Sequence, residues 1–336
     1  MSLPAETPPA QRLSELIEGY WTTQSINAAV LLGLPDQLGE GPKDLQALAD
    51  ASGAHAPSLF RLLRALQTLG LVQVGADGRY ALTPTGDLLR SDAPGSARGR
   101  ALFAGGHLWN SYGGLAHAVR TGERSPSAPK DFESMEAGEL AVFQRAMAES
   151  SLRAARDAVA VYDFGRFKRV LDVGGGFGGV LEVLLRAQPA LTGDVFDLPL
   201  VAEGARAHLA GAGLADRAGF IEGSFFESVP AGYDAYVLKY ILHDWNDEAC
   251  HTLLTCVRAA SGPQARLVIL EQVVPERLAD RFDDRAVIRG DLTMLTVGGK
   301  ERTAEEYRTL LAAAGFRLTT ISPTASSFSV IEAIPA

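Results

Sequence analysis

The spacing of hydrophobic and polar positions divides the 336-residue chain into a helical first part and a last part in which strands and helices alternate. In the first part, apolar side chains recur every three or four residues, as on one face of an amphipathic helix. The first such face consists of Leu13, Leu16, Ile17 and Tyr20. Two more helical patterns flank the breaker Ser52-Gly53, and two short strands joined by Asp77-Gly78 follow as a hairpin. This order predicts a winged helix within residues 1–98.

A winged helix is also typical of DNA-binding regulators, whose second helix enters the major groove. The charges between Lys43 and Arg90 argue against that function, because a DNA-binding surface should be basic. This region contains five basic residues and four acidic ones. The second helix also uses most of its length for apolar positions: Leu59, Phe60, Leu62, Leu63 and Leu66. We therefore expect this helix to pack in a core or a dimer interface.

Residues 99–160 are predicted to be connecting helices. They carry an aromatic and methionine stripe, made of Phe103, Trp109, Tyr112, Phe132, Met135, Phe143 and Met147. Such a stripe can be helix core or one wall of an apolar ligand pocket, and the sequence leaves both interpretations open.

Residues 161–336 are predicted to be a Rossmann-like α/β domain. Short apolar runs alternate with amphipathic helices, which indicates right-handed βαβ units and a mostly parallel sheet. Seven strand-like runs occupy residues 168–173, 192–198, 218–223, 234–240, 266–274, 316–322 and 327–334. The last two should form a strand pair at one edge of the sheet.

Composition and charge exclude several classes of function. The formal net charge of −9 disfavours a general affinity for nucleic acid or for an anionic membrane. The chain has no run of 18 apolar residues, and its first residues do not resemble a signal peptide. Cys250 and Cys256 are spaced neither as a CxxC motif nor as a disulfide framework. We therefore expect reduced thiols, a cytoplasmic protein and no metal site.

The first strand of the α/β domain ends in LDVGGGFGG, where Gly174, Gly175 and Gly176 let the backbone approach a ligand closely. Asp197 ends the second strand, where an acidic residue would bind ribose hydroxyls. Nicotinamide dinucleotides and S-adenosylmethionine both contain that ribose. Asp172, just before the glycines, favours S-adenosylmethionine, since a carboxylate repels a pyrophosphate but accepts from an ammonium group.

The run YVLKYILHDWNDE ends the fourth strand and begins a helix at the N-cap Asn246. His243 thus lies at the ligand-binding edge of the sheet. Glu271 lies near the end of the fifth strand, and if the two strands are neighbours, both side chains face one crevice. A carboxylate on one imidazole nitrogen fixes the tautomer and leaves the other nitrogen as a base.

Five segments, in order, resemble the small-molecule O-methyltransferases of the plant caffeate and hydroxyindole type, which also occur in bacterial natural-product pathways. They are LDVGGGFGG, FDLP, HDWNDE, LEQVVPE and GGKERTAEEYRTLLAAAGF. The resemblance covers nearly the whole chain. It implies that the winged-helix domain serves homodimerisation and that a hydroxyl of a small natural product accepts the methyl group. The aromatic and methionine stripe of residues 99–160 indicates an aromatic acceptor.

The resemblance also implies roles for individual residues. His243 would be the general base, with Glu271 and Glu301 flanking it. S-Adenosyl-L-methionine would be bound by Asp172, Gly174, Gly175, Gly176, Asp197, Ser224, Phe225 and Lys239, and the acceptor by Phe143, Met147 and Asp244. Ser224 stands where many members have an Asp that reaches the adenine amino group, so that contact is expected to be weaker. C- or N-methylation on the same fold is the main alternative, ahead of a nicotinamide-dependent oxidoreductase and a ligand-sensing regulator.

Overall fold

The structure, a computed structural model, describes residues 8–128, 137–279 and 282–336. The described residues form two compact units. Those within Met1–Asn110 and Met135–Glu149 make up the helical unit, and those within Ser111–Ser134 and Ser150–Ala336 make up the sheet unit. Phe132 and Met135 of the predicted aromatic stripe lie outside the described residues.

The helical unit contains the predicted helices and the predicted hairpin. Its elements are α1 (Pro9–Ile17), α2 (Tyr20–Leu31), α3 (Leu34–Gly39), α4 (Leu45–Ser52), α5 (Ala56–Thr68), β1 (Val72–Val74), β2 (Tyr80–Leu82), α6 (Pro84–Asp87) and α7 (Arg98–Phe103). A π-helical turn, Ala104–Leu108, follows α7. Asp44 caps α4 by accepting from the backbone N–H of Ala47 at 2.8 Å, which satisfies a donor that the helix itself leaves unpaired.

The core of the helical unit includes one face of α5, where Leu59, Leu63 and Leu66 are buried. Phe60 is 42% exposed in the single chain because it points away from that face, so it is not part of this core, and a dimer interface stays a prediction for it. The apolar stripe of the first helix is also exposed. Leu16 and Ile17 of α1 are 67% and 66% exposed, and α1 has no buried residue.

Helices α8 (Trp109–Tyr112), α9 (Leu115–Thr121) and α10 (Ala137–Val161) come next, and the division between the units falls within α8 and within α10. The remaining elements belong to the sheet unit. They are β3 (Arg169–Val173), α11 (Gly179–Ala187), β4 (Thr192–Asp197), α12 (Ala202–Gly211), β5 (Ala218–Glu222), β6 (Ala235–Lys239), α13 (Asp247–Ala260), β7 (Arg266–Val274), α14 (Phe282–Val297), β8 (Arg302–Thr303), α15 (Ala304–Ala313), β9 (Phe316–Pro323) and β10 (Phe328–Pro335). Short 3-10 turns occupy Phe164–Arg166, Pro199–Val201 and Leu242–Asp244.

The sheet has the predicted mostly parallel architecture, with the order β5-β4-β3-β6-β7-β10-β9. The five strands from β5 to β7 run parallel, and β10 and β9 add an antiparallel pair at one edge. All seven predicted strands are present. The sequence did not predict β8, a two-residue strand that pairs in parallel with the end of β7. Helices cover both faces, so β6 is buried along its whole length.

The order of the strands reverses beside β3, which has β4 on one side and β6 on the other. Because the five strands are parallel, their carboxyl ends meet at one edge, where ligands bind in open α/β sheets. Asp172, Asp197, Lys239 and Glu271 all lie in the last residues of these strands. Among the described helices, none is both long and apolar enough to cross a membrane.

Candidate active site

The glycine turn after β3 exposes its backbone at the carboxyl edge of the sheet. Gly174 and Gly176 have φ angles of 69° and 56°, in the left-handed region that favours glycine. A Cβ at Gly174 would lie 2.5 Å from the Ile241 side chain, whereas a Cβ at Gly176 would meet no other atom of the described residues within 4 Å. The N–H of Gly176 donates to Asp197 Oδ2 at 2.8 Å. The turn therefore leaves open space beside the Asp197 carboxylate.

Asp172 and Lys239 place opposite charges in the buried part of this edge. Asp172 is 1% exposed, and neither of its carboxylate oxygens has a hydrogen-bond partner among the described residues. Burial raises the pKa of Asp172 to about 7. Burial also lowers the pKa of Lys239 to about 7, although the nearby carboxylates of Asp244 and Asp172 oppose that change. An unpaired buried carboxylate is costly, which indicates that a cationic or hydrogen-bond-donating ligand belongs beside Asp172.

His243 lies in the 3-10 turn between β6 and α13, and two carboxylates contact its imidazole. Nδ1 lies 3.0 Å from Glu301 Oε1, and Nε2 lies 3.5 Å from Asp244 Oδ1. Burial lowers the pKa of His243, but Asp244, Glu301 and Glu271 together outweigh burial and raise it to about 9. The ring of Tyr240 stacks on the imidazole with the centroids 4.3 Å apart. The backbone of Tyr240 has a φ of 54°, a strained value for a residue with a side chain.

Glu271 supports the backbone of this turn rather than the imidazole ring. Its Oε1 accepts from the N–H groups of Ile241, Leu242 and His243 at 3.0, 2.6 and 3.3 Å. Its Oε2 accepts from the Tyr307 hydroxyl at 2.5 Å. Burial raises the pKa of Glu271, while His243 and Tyr307 act in the opposite direction. The expectation that Glu271 would bind the imidazole was therefore wrong: Glu301 makes that contact, because β8 brings it against the His243 turn.

Ser224 and Phe225 follow β5 at the same edge of the sheet. The Ser224 hydroxyl accepts from the N–H of Phe226 at 3.3 Å. Phe225 is part of an aromatic cluster with Phe226 and Trp245, whose ring centroids are 4.7 to 6.4 Å apart. The predicted role of both residues in binding S-adenosylmethionine stays a prediction.

Phe143 and Met147 lie four residues apart on α10, in the part of that helix that belongs to the helical unit. Both side chains are half-buried. Phe143 packs edge-on against Phe103 with 5.6 Å between the centroids, and Phe103 stacks on His107 of the π-helical turn at 5.0 Å. Within this unit the residues therefore form an aromatic wall of the kind that binds flat apolar molecules.

Family models match most of this chain. The model of the O-methyltransferase domain matches residues 125–317, and that of the O-methyltransferase dimerisation domain matches residues 14–92. The chain belongs to the O-methyltransferase family. Enzymes of this family depend on S-adenosylmethionine, and so does this methyltransferase.

Three relatives show how broadly the methyltransferase resembles known proteins. The phenazine O-methyltransferase PhzM of Lysobacter antibioticus is 40% identical over 96% of this chain and 95% of its own length. The 8-amino-8-demethylriboflavin N,N-dimethyltransferase of Streptomyces davaonensis is 37% identical over 96% of this chain and 94% of its own. The crystal structure of human N-acetylserotonin methyltransferase in complex with SAM is 28% identical, covers 99% of this chain and 100% of that chain, and has a TM-score of 0.90.

The carboxyl edge of the sheet fits S-adenosylmethionine. Both carboxylate oxygens of Asp172 lack a hydrogen-bond partner among the described residues, so they would accept from the ammonium of the methionine part, and Asp197 would accept from the ribose hydroxyls. The open backbone at Gly176 allows a ligand to approach without meeting a side chain. When bound, this cofactor supplies an electrophilic methyl group on a sulfonium.

Sequence reasoning did not assign a role to three residues of the His243 site. Tyr240 stacks on the imidazole, Tyr307 binds Glu271, and Arg302 binds the His243 turn itself. Arg302 and Tyr307 both lie in the quoted segment GGKERTAEEY, but the two-residue β8 that brings this segment to the turn has too little pattern to predict. Tyr240 could have been suspected only from its position between Lys239 and His243.

Proposed function

We propose that this methyltransferase transfers the methyl group to a hydroxyl of a small aromatic natural product, with His243 as the general base. The observation that carries the proposal is the buried imidazole, whose Nδ1 lies against Glu301 at 3.0 Å. A carboxylate there accepts from Nδ1–H, and the lone pair of the base is then on Nε2. The acceptor hydroxyl would give its proton to Nε2.

A base is needed because a phenol with a pKa near 10 is mostly protonated at neutral pH. A positioned base contributes about 10²–10⁴-fold to such a reaction. An amine acceptor is already a nucleophile once neutral and gains less from His243. The aromatic character of the acceptor is supported by the relative named for a phenazine substrate. We include Met147 and Asp244 among the acceptor contacts.

The pH dependence of turnover tests the proposal. Only the neutral imidazole accepts a proton, so kcat/KM for a phenolic acceptor should rise about tenfold per pH unit and level off near the His243 pKa of about 9. Asp244→Asn removes a carboxylate that raises this pKa, so the rising limb should move to lower pH. Ionisation of the free acceptor would give a limb that the variant does not move. An enzyme whose rate is flat from pH 6 to pH 9 would contradict the proposal.

The main alternative is N-methylation, which is favoured by the relative named as an N,N-dimethyltransferase. Paired acceptors that differ only in a hydroxyl or an amino group on the same ring distinguish the two. Mass spectrometry of the products should show methyl ethers with S-adenosylmethionine as donor. Methylated amines as the main products, formed equally well by His243→Ala, would favour the alternative.

We also propose that the enzyme is a homodimer that forms through α1. The dimerisation family model covers residues 14–92, and the apolar face of α1 is exposed in a single chain. Burying a Leu or Ile side chain contributes about 1.5–3 kcal/mol. Light scattering should therefore give twice the chain mass for the wild type and the mass of one chain for a Leu16→Glu, Ile17→Glu double variant. Val119→Glu, at a position 66% exposed on α9, is the control and should remain dimeric. A double variant that is still a dimer would exclude α1 as the interface.

A further inference from the structure

Arg302 is the largest fully buried side chain of the described residues, and the reaction proposed above gives it no role. It follows Glu301 directly and lies in β8. A buried guanidinium is costly unless every donor finds a partner. The hydrogen-bond partners of Arg302 therefore indicate which part of the structure it stabilises.

The guanidinium of Arg302 binds the two carbonyl groups that bracket the His243–Asp244 pair. Nη1 donates to the Leu242 carbonyl at 2.7 Å, and Nη2 donates to the Trp245 carbonyl at 2.8 Å. Both carbonyls belong to the connection between β6 and α13 that carries the base. The planar fork of an arginine fixes the direction of both bonds at once.

Asp247, in the first turn of α13, holds the other side of the guanidinium. Its Oδ1 accepts from Nε at 3.1 Å and from Nη2 at 2.8 Å. Lys300 also donates from Nζ to the other oxygen of this carboxylate at 3.2 Å. Burial raises the pKa of Asp247, but Arg302 and Lys300 outweigh burial and hold it below its usual value, so Asp247 stays charged. Arg302 is thus anchored to the helix on one side and to the turn on the other.

Several further backbone groups of the turn are also bound from outside it. Glu271 accepts from three backbone N–H groups of the turn, as described above, and the backbone N–H of Lys300 donates to the His243 carbonyl at 2.9 Å. Gly299 fits under this carbonyl only because it lacks a Cβ, which would lie 2.1 Å from the oxygen. The segment 299–302, which carries Glu301 to the imidazole, therefore also fixes the backbone from which the imidazole extends.

We propose that Arg302 is a positioning residue, which holds the His243 turn so that the imidazole stays aligned with Glu301 and with the acceptor. This inference rests on the proposed role of His243 as the base. Arg302 itself does not contact the imidazole, and it acts through the Leu242 and Trp245 carbonyls. Small displacements of a reacting group, of about 1 Å, can lower a rate by about 10²-fold.

The experiment compares Arg302→Gln, Arg302→Lys and Asp247→Asn with the wild type, with all rates expressed per site that binds S-adenosylhomocysteine in calorimetry. For Arg302→Gln we expect kcat to fall by about 10²-fold while the affinity for S-adenosylhomocysteine changes by less than about twofold. The acidic limb of the pH profile, which is the rising limb set by the His243 pKa, should move to lower pH. A displaced imidazole is less stabilised in its protonated form by Glu301 and Asp244, so its pKa falls. Arg302→Lys should restore only part of kcat, since an ammonium lacks the fork.

Arg217→Gln is the matched control, because Arg217 also donates to several backbone carbonyls, among them Leu185 and Leu191, at the amino edge of the sheet. It should leave kcat and the pH profile per binding site unchanged. If Arg302→Gln does not fold, Asp247→Asn decides the question, since the side chain of Asp247 is 61% exposed and the change removes the negative charge that anchors the guanidinium and that Lys300 also contacts. We expect that variant to lower kcat in the same direction by a smaller factor.

Two results would overturn the inference. The first is an Arg302→Gln enzyme whose kcat per binding site and whose pH profile are those of the wild type. The second, where that protein is not folded, is an Asp247→Asn enzyme in which both are unchanged. His243→Ala, measured in parallel, separates this failure from that of the proposed function. If His243→Ala loses turnover and the Arg302 series does not, only the positioning role is wrong. If His243→Ala keeps full turnover, the general-base proposal itself is wrong.

Discussion

His243→Ala should lower kcat for a phenolic acceptor by about 10²–10⁴-fold while S-adenosylhomocysteine still binds with nearly its wild-type affinity. We expect this loss because the acceptor keeps its proton, whereas Asp172, the glycine turn and Asp197, the residues that we propose bind the cofactor, are unchanged. The loss should also depend on the acidity of the acceptor. A phenol with a pKa below 7 is already ionised at neutral pH, so it should lose far less turnover than one with a pKa near 10.

The control for this variant is His251→Ala, which makes the same change on α13 at an exposed imidazole that contacts the Ala313 carbonyl. It should retain wild-type turnover with every acceptor. A loss in His243→Ala that is equal for acidic and weakly acidic phenols would contradict the role as a base. It would indicate that the imidazole only shapes the acceptor site.

The sheet and its ligand edge were predictable because both depend on local signals. Alternating apolar runs fix the strands, and parallel strands bring their carboxyl ends together whatever the details of packing. Asn246 was predicted as an N-cap from its position before Asp247, and its side chain accepts from the Ala249 N–H at 2.9 Å. Such features need only a few neighbouring residues.

The contacts around His243 depend instead on residues far apart in the chain. Glu271 and Glu301 are both carboxylates near the same base, and no spacing rule says which one reaches the ring and which one the backbone. The answer follows from β8, which pairs with β7 through only two residues and places Glu301 against the imidazole. Arg302, buried beside it, has no hydrophobic pattern that would mark it as an interior residue.

The exposed stripe on α1 shows a different limit of prediction from sequence. Apolar spacing indicates that a face is to be covered but does not say by what. Leu16 and Ile17 have the spacing of a core face, yet no residue of α1 is buried in the single chain. Phe60 differs from its neighbours on α5 in the same way, at 42% exposed.

Glu301→Gln should lower kcat by about 10²-fold and, at the same time, move the acidic limb of the pH profile to lower pH. Both effects follow from replacing the Glu301 carboxylate with a neutral amide. Glu301 helps to raise the pKa of His243 to about 9, so removing its charge lowers that pKa and makes the neutral imidazole available at lower pH. A glutamine amide can also donate to Nδ1, which places the proton on Nε2 and removes the lone pair that faces the acceptor.

The combination of a lower kcat with a limb at lower pH makes the prediction specific, because general damage to the protein lowers kcat without moving the limb to lower pH. Glu305→Gln is the matched control, since it makes the same change four residues later, on the first turn of α15, where the side chain is 71% exposed. It should change neither kcat nor the limb. A Glu301→Gln enzyme with an unmoved limb would mean that Glu301 does not set the protonation of the base. Asp244, whose carboxylate lies 3.5 Å from Nε2, and Glu271 would then have to account for the raised pKa of His243.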